Sequence, residues 1–193
     1  INTRTNVIAK RFDRIKLILN ELGYIQKGEV STSGRMLAKI YGETDLLIAE
    51  SIRDGVFNHL NAVDLVTVLS VFVYESRAEE NAKVPRGEVA DALSKISKIY
   101  GKIFNIENDH NLEPMRAPDF GFCWPAQRWA NGHSLTAVLK DSDLTVGDFV
   151  RNMKQIVDLL RQLRAAAPEL QPMIDLSLNK IDRGVVVYAG AAI

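Results

Sequence analysis

Three histidines, one cysteine and a scatter of carboxylates are the residues of this chain whose types could do covalent or metal chemistry. His59, His110 and His133 stand far from one another in sequence, and Cys123 is the single cysteine. Zinc ligands usually come as pairs at short spacing, so this pattern predicts no metal site. His59 reads as a turn residue before Leu60, His110 as a loop residue and His133 as a neighbour of Gly132 at a helix entry. Cys123 lies between Phe122 and Trp124, a setting for a packed, inert thiol rather than for a thiolate activated by a nearby base. The carboxylate pairs Asp141 with Asp143 and Glu79 with Glu80 fall in polar connectors, where solvation is the default. A phosphate loop needs a glycine-rich turn ending in lysine. Gly28, Gly34 and Gly42 are scattered and have no such lysine. A dinucleotide fingerprint after a strand is also absent. The sequence therefore predicts no catalytic residue.

Two groupings remain that could bind. In the stretch from Thr145, the apolar positions Phe149, Met153, Ile156, Leu160 and Leu163, widened by Val150 and Val157, recur at helical spacing, while Arg151, Gln155, Asp158 and Gln162 share the opposite face. One reading is a solvated face in which Arg151 pairs with Gln155 and Asp158, worth a few tenths of a kcal/mol. The other is a polar rail along a groove, able to touch bases and sugars. The second grouping is Phe120, Phe122, Trp124 and Trp129, interrupted by Pro118 and Pro125. Such rings can stack on single-stranded bases or fill the seam between helical layers, and two prolines fixing the turn favour the core. A cluster of Lys10, Arg11, Arg14 and Lys16 on the first helix would suit a winged-helix regulator of duplex DNA.

The elements that must hold these groups read as helices. The 193 residues are 47% hydrophobic and 25% charged, with 24 basic against 24 acidic side chains. That composition supports a sizeable core and gives no global basic field, which argues against the duplex-DNA reading. The single cysteine fits a reducing, cytoplasmic compartment. No stretch approaches the apolar length that spans a membrane. The chain opens at Ile1, directly before a helical pattern, and reads as a piece of a longer protein.

Helical spacing runs from Asn6 to Leu22, capped by Gly23. A polar stretch with a short hairpin near residues 25–32 follows. Helices are then expected over Leu37–Arg53, broken around Tyr41–Glu43, over Ala62–Tyr74 behind the N-cap Asn61, and over Gly87–Asn108. Glu75–Pro85, with Glu75, Arg77, Glu79, Glu80 and Lys83, reads as an exposed connector. Ser134 caps a short helix through Lys140, and Thr145 begins a long one ending near Ala167. A last helix over Glu169–Ala191 packs Leu170, Met173, Ile174, Leu178, Ile181, Val185 and Tyr188. The expectation is an all-α bundle of seven to eight helices, with residues 1–32 as an entry helix and turn and 33–193 as the bundle proper.

In order and spacing these segments resemble the DSHCT domain, the C-terminal domain of superkiller-type DExH-box RNA helicases. Leu22-Gly23-Tyr24-Ile25 matches the opening turn. Gly34-Arg35 to Ala38, Glu43-Thr44-Asp45-Leu46-Leu47 and Glu50 match the acidic helix, and Gly55, Phe57 and Leu60 the turn after it. Leu69-Ser70-Val71-Phe72-Val73-Tyr74-Glu75, Trp129-Ala130 with Gly132, Gly147-Asp148-Phe149-Val150-Arg151 and Ile181, Arg183, Val185, Val186 complete the series. The terminal Gly190-Ala191-Ala192-Ile193 is most similar to the actinobacterial branch, named HelY in some bacteria.

The resemblance implies a helical bundle across the RNA exit path from two ATPase lobes, with Thr145 to Ala165 as the ratchet helix that touches the threading strand. Arg151, Lys154, Gln155, Asp158 and Gln162 then become the expected nucleic-acid contacts. Two positions depart from the family. A basic residue followed three positions later by an acid is common there, and this chain has Gln155 before Asp158, with Arg151 or Lys154 to compensate. Gly184 stands where aspartate is common. The resemblance implies a non-catalytic accessory role: guiding single-stranded RNA, bracing the ATPase lobes of the same polypeptide, and working beside an RNA-degradation partner protein. ATP and Mg would belong to the parent protein rather than to this chain. The alternative from another class is a helical bundle that docks a protein partner of the parent enzyme.

Overall fold

The computed structural model describes residues 2–76, 82–140 and 142–188. Arg77, Glu79 and Glu80 of the expected connector, Asp141, the terminal Gly190-Ala191-Ala192-Ile193 and the side chain of Tyr188 lie outside the described residues. Within them the chain is all-α, apart from one two-stranded hairpin.

The architecture is organised around α4 (Ala62–Val73). Leu65, Val66, Val68, Leu69 and Val71 of this helix are all fully buried, so it is apolar on every side, the signature of a central helix. Its β-branched residues are compatible with a strand by propensity, yet Asn61 caps it by accepting from the Asp64 backbone amide at 2.9 Å and burial on all faces decides the outcome. Around α4 pack α5 (Glu88–Asp109), α6 (Cys123–Ala130), α8 (Val146–Ala166) and α9 (Gln171–Ile181). Between α6 and α8, α7 (Leu135–Leu139) starts at the expected cap, with the Ser134 hydroxyl accepting from the Ala137 amide at 3.3 Å.

The entry region is a long helix, α1 (Asn2–Glu21), followed by the antiparallel hairpin β1 (Ile25–Gln26) and β2 (Glu29–Val30). The hairpin falls where the sequence places it. The next segment differs from expectation. Leu37 ends a helix rather than starting one: α2 spans Thr32–Leu37 and α3 spans Asp45–Arg53, leaving a wider gap than Tyr41–Glu43. The cause is Ser31. Its hydroxyl accepts from the Gly34 amide at 3.1 Å and donates to the Gly23 carbonyl at 2.7 Å, so it caps α2 and ties it to the preceding turn. A Cβ on Gly34 would lie 2.3 Å from the Tyr24 carbonyl oxygen, so this junction closes only around glycine.

Tyr24 is buried beneath that junction, and its hydroxyl donates to Glu50 Oε1 at 2.5 Å. Arg53 donates to the same oxygen and to the Leu22 carbonyl, each at 2.7 Å. Burial, followed by the hydrogen bond to Glu50, pushes the Tyr24 phenol well above its ordinary pKa. The motif residues Leu22 to Ile25, Gly34 and Glu50 therefore build a structural joint.

The C-terminal helix is also divided. After a 3-10 turn at Pro168–Leu170, α9 stops at Ile181, and α10 (Val185–Tyr188) begins beyond Gly184. Gly184 has φ +52°, a left-handed conformation that favours glycine. Arg183 fixes the break: its guanidinium lies 3.6 Å from the centroid of the Trp129 ring and donates to the carbonyls of Trp129 and His133. Trp129 Nε1 donates in turn to the Ile181 carbonyl at 2.9 Å. These two divisions, with α6 as a helix that the spacing does not announce, account for ten α-helices among the described residues against the seven to eight expected.

The aromatic segment forms a 3-10 turn, Phe120–Phe122, running into α6. Pro125 sits in the first turn of α6, where its missing N–H breaks no helical bond. Phe122 and Trp129 are buried as core, while Trp124 is exposed.

Candidate nucleic-acid interface

The candidate site is built on α8, which starts and lies where the sequence predicts. Thr145 caps it, accepting from the Asp148 amide at 3.0 Å while its hydroxyl donates to Asp148 Oδ2 at 2.8 Å. Phe149, Met153, Ile156, Leu160 and Leu163 are fully buried against α4 and α9. Phe149 meets the Trp129 ring edge to face, with centroids 5.3 Å apart. A helix seated on five buried side chains is a rigid platform, so the direction of its polar face is fixed.

Arg151 and Gln155 are exposed and line one groove of about 590 Å³. Its other walls are the end of α4 and its exit, residues 73–76, together with Gly121 and the loop of residues 142–145. Asp119 shapes this floor, accepting from the amides of Ser76 at 2.7 Å and Gly121 at 2.8 Å. Asn152 and Asp148 share the wall with Arg151 and Gln155. Asn152, which the expected rail does not include, is mostly buried among core residues, and its Nδ2 donates to the Asp148 carbonyl at 2.8 Å. The signal that finds it is the spacing of Asp148, Asn152 and Gln155, which puts all three on one helical face.

The other expected contacts divide. Lys154, Asp158 and Gln162 do not line this groove. Asp158 is exposed and lies 3.7 Å from Arg161 one turn on. Gln162 is half-buried, and its Oε1 accepts from the Tyr41 amide at 2.8 Å, which commits that oxygen to the α2–α3 connection. Arg151 pairs with Asp148, not with Gln155 or Asp158 as the solvated reading expects.

Electrostatically the groove is mixed. Glu75, Asp143 and Asp148 stand against Arg151. Such a wall neutralises few phosphates, and its amide and guanidinium groups suit hydrogen bonds to base edges and sugar hydroxyls.

Cys123, His110 and His133 are in structural settings, while His59 lies exposed in the turn before Leu60. Cys123 is buried, and burial pushes its thiol up to about 11, far from the thiolate a nucleophile needs. His110 Nε2 lies 2.9 Å from Glu21 Oε2, and His133 Nδ1 lies 3.0 Å from the Arg128 carbonyl oxygen. Among the described residues no three His, Cys, Asp or Glu side chains come together as a metal site, and no helix is long and apolar enough to cross a membrane.

Comparison with known proteins agrees with the helical series. The family model described as "DSHCT (NUC185) domain" matches residues 27–189. "Probable helicase HelY" of Mycobacterium leprae (strain TN) is 37% identical over 201 aligned positions, covering 94% of this chain and 22% of the relative. "Exosome RNA helicase MTR4" of Homo sapiens is 26% identical over 185 positions, covering 90% of this chain and 18% of the relative. The chain thus spans about a fifth of the length of these curated relatives. Its all-α architecture, its helix order and a match over most of its length place the chain in the DSHCT (NUC185) domain family of helicases.

Proposed function

We propose that this domain guides single-stranded RNA along α8, past the ATPase lobes of a longer ATP-dependent RNA helicase, and braces those lobes without catalysing a reaction itself. The observation that carries the reading is the placement of Arg151 and Gln155 on one groove wall by a helix whose opposite face is fully buried. Relatives named as helicases, one of them as an RNA helicase, support it. The contact set is Arg151, Asn152 and Gln155 in the groove, with Lys154 and Asp158 beside it and Gln162 farther along the helix. The sequence has no glycine-rich turn ending in lysine, so ATP and Mg belong, in this reading, to lobes outside this chain.

With one guanidinium facing three carboxylates, strand contact rests on bases and sugars more than on phosphates. A guide of this kind holds RNA loosely, which suits a strand that must keep moving. The test is ultraviolet crosslinking of the full-length helicase to single-stranded RNA, with peptide mapping. Crosslinks in residues 146–162 are expected. Arg151→Glu should cut unwinding by about tenfold, the equivalent of ~1.4 kcal/mol, and spare most of the ATPase activity. Crosslinks confined to the lobes, with unwinding unchanged in Arg151→Glu, would leave the domain as a brace or a partner-docking bundle.

A further inference from the structure

The α1 helix carries an apolar stripe that its own domain does not cover. Ile8, Phe12, Ile15 and Leu19 fall at spacings of four, three and four, which puts them on one helical face. Leu19 packs on the core, but exposure reaches 40% at Ile15, 65% at Phe12 and 69% at Ile8. At the root of the stripe, Ile15 and Leu19 form part of a cleft of about 740 Å³ between α1, the start of α3 and residues 112–116. Five carboxylates line that cleft: Glu43, Asp45, Glu75, Glu107 and Glu113. The cations facing them are Arg11 and Arg116. Arg116 is already engaged: it donates to the carbonyls of Tyr74 at 2.6 Å and Phe72 at 2.9 Å, and its Nε lies 3.7 Å from Glu43 Oε2, which leaves Arg11 facing the other four acids. Burial raises the carboxyls of Asp45 and Glu107 above their usual range, the condition of acids short of a cationic partner.

We infer that the α1 stripe and the acidic cleft at its root form the seat for the rest of the helicase polypeptide, which meets it with an apolar ridge bearing lysine or arginine where it enters the cleft. The inference rests on reading this chain as one part of a longer helicase. Charge complementarity selects the basic end of the occupant. The length of chain outside this region selects its source. A tethered partner needs little exposed apolar area, because the tether supplies a millimolar effective concentration. The chain spans only 22% of the HelY relative, so in such proteins most of the polypeptide lies outside this region and is available to dock.

The test uses the full-length helicase without RNA or nucleotide, so that its outcome does not depend on strand guidance. Hydroxyl-radical footprinting should show Phe12 oxidised about tenfold more slowly than a freely exposed ring, as for a side chain withdrawn from solvent. A zero-length carbodiimide should join Glu43 or Glu113 to a lysine outside this domain. Isotopically light and heavy protein, mixed before the reaction, should give only unmixed crosslinked pairs. Phe12→Asp, at an exposed position, should restore rapid oxidation of Ile8 and abolish those crosslinks. Rapid oxidation of Phe12 in the wild-type helicase would overturn the inference. Mixed-isotope crosslinks would overturn it too, by showing that a second copy occupies the seat.

Discussion

The helices α1 and α8 look alike on paper and end in opposite environments. They are 20 and 21 residues long and carry apolar residues at helical spacing. In α8 the stripe from Phe149 to Leu163 is wholly buried, while in α1 the stripe from Ile8 to Ile15 faces solvent until Ile18 meets the core. Periodicity therefore specifies that a helix has a face to cover, and the rest of the chain decides what covers it. For α8 the covering residues are in α4, α6 and α9. For α1, hairpin packing and Ile18 hold only the C-terminal end.

The largest expected effect breaks this contrast if it fails. Leu160→Ala in α8 should destabilise the domain by about 2–5 kcal/mol, the range for a buried leucine replaced by alanine. Phe12→Ala in α1 of this 193-residue chain should cost no more than about 0.5 kcal/mol, as for exposed sites. Denaturant unfolding of both variants measures the difference. Equal losses would mean that α1 packs on its own domain.

The same contrast explains what the sequence discloses. Caps are local, so Asn61, Ser134 and Thr145 announce their helices, and each accepts the expected backbone amide in the structure. The rail was half legible for a similar reason: helical spacing alone sets Arg151 and Gln155 on one face. Nothing local tells that Gln162 is diverted to the Tyr41 amide, or that Arg183 stacks on Trp129 across 54 positions and ends the helix before it. The cleft beside α1 is of this second kind. Its carboxylates come from four separate stretches of chain, which only the folded backbone brings together.

A smaller effect sharpens how α1 is held. The joint at Tyr24 is the means by which α1 and the hairpin reach the bundle, and Gly34 lies against the Tyr24 carbonyl there. Gly34→Ala should destabilise the chain by about 1–3 kcal/mol, the scale of overpacking in a closed site. In hydrogen exchange the added loss of protection should concentrate in residues 18–37 and leave α8 protected. A loss spread evenly over α8 would show that the two regions unfold as one unit and that their contrast is one of exposure only.

The smallest effect is on pH dependence at the cleft. Glu107 is buried and accepts from the Met115 amide at 2.9 Å. Burial raises its carboxyl despite that bond. With the folded pKa above the unfolded one, about 4.3, the folded state holds the proton more tightly. Its contribution to stability is then complete below the unfolded pKa and is lost as pH rises through the folded pKa. Glu107→Gln keeps an oxygen to accept from Met115 and removes the titration. The variant should therefore match or exceed wild type at neutral pH, by under about 1 kcal/mol, and any advantage should shrink as the buffer becomes acidic. Unfolding curves across that range read the change. A lysine delivered into the cleft by a docked polypeptide would lower this carboxyl again, so in the full-length helicase the change should shrink or vanish. Its persistence there at full size would mean that Glu107 stays without a cation, and that the exposed stripe and the cleft do not share an occupant.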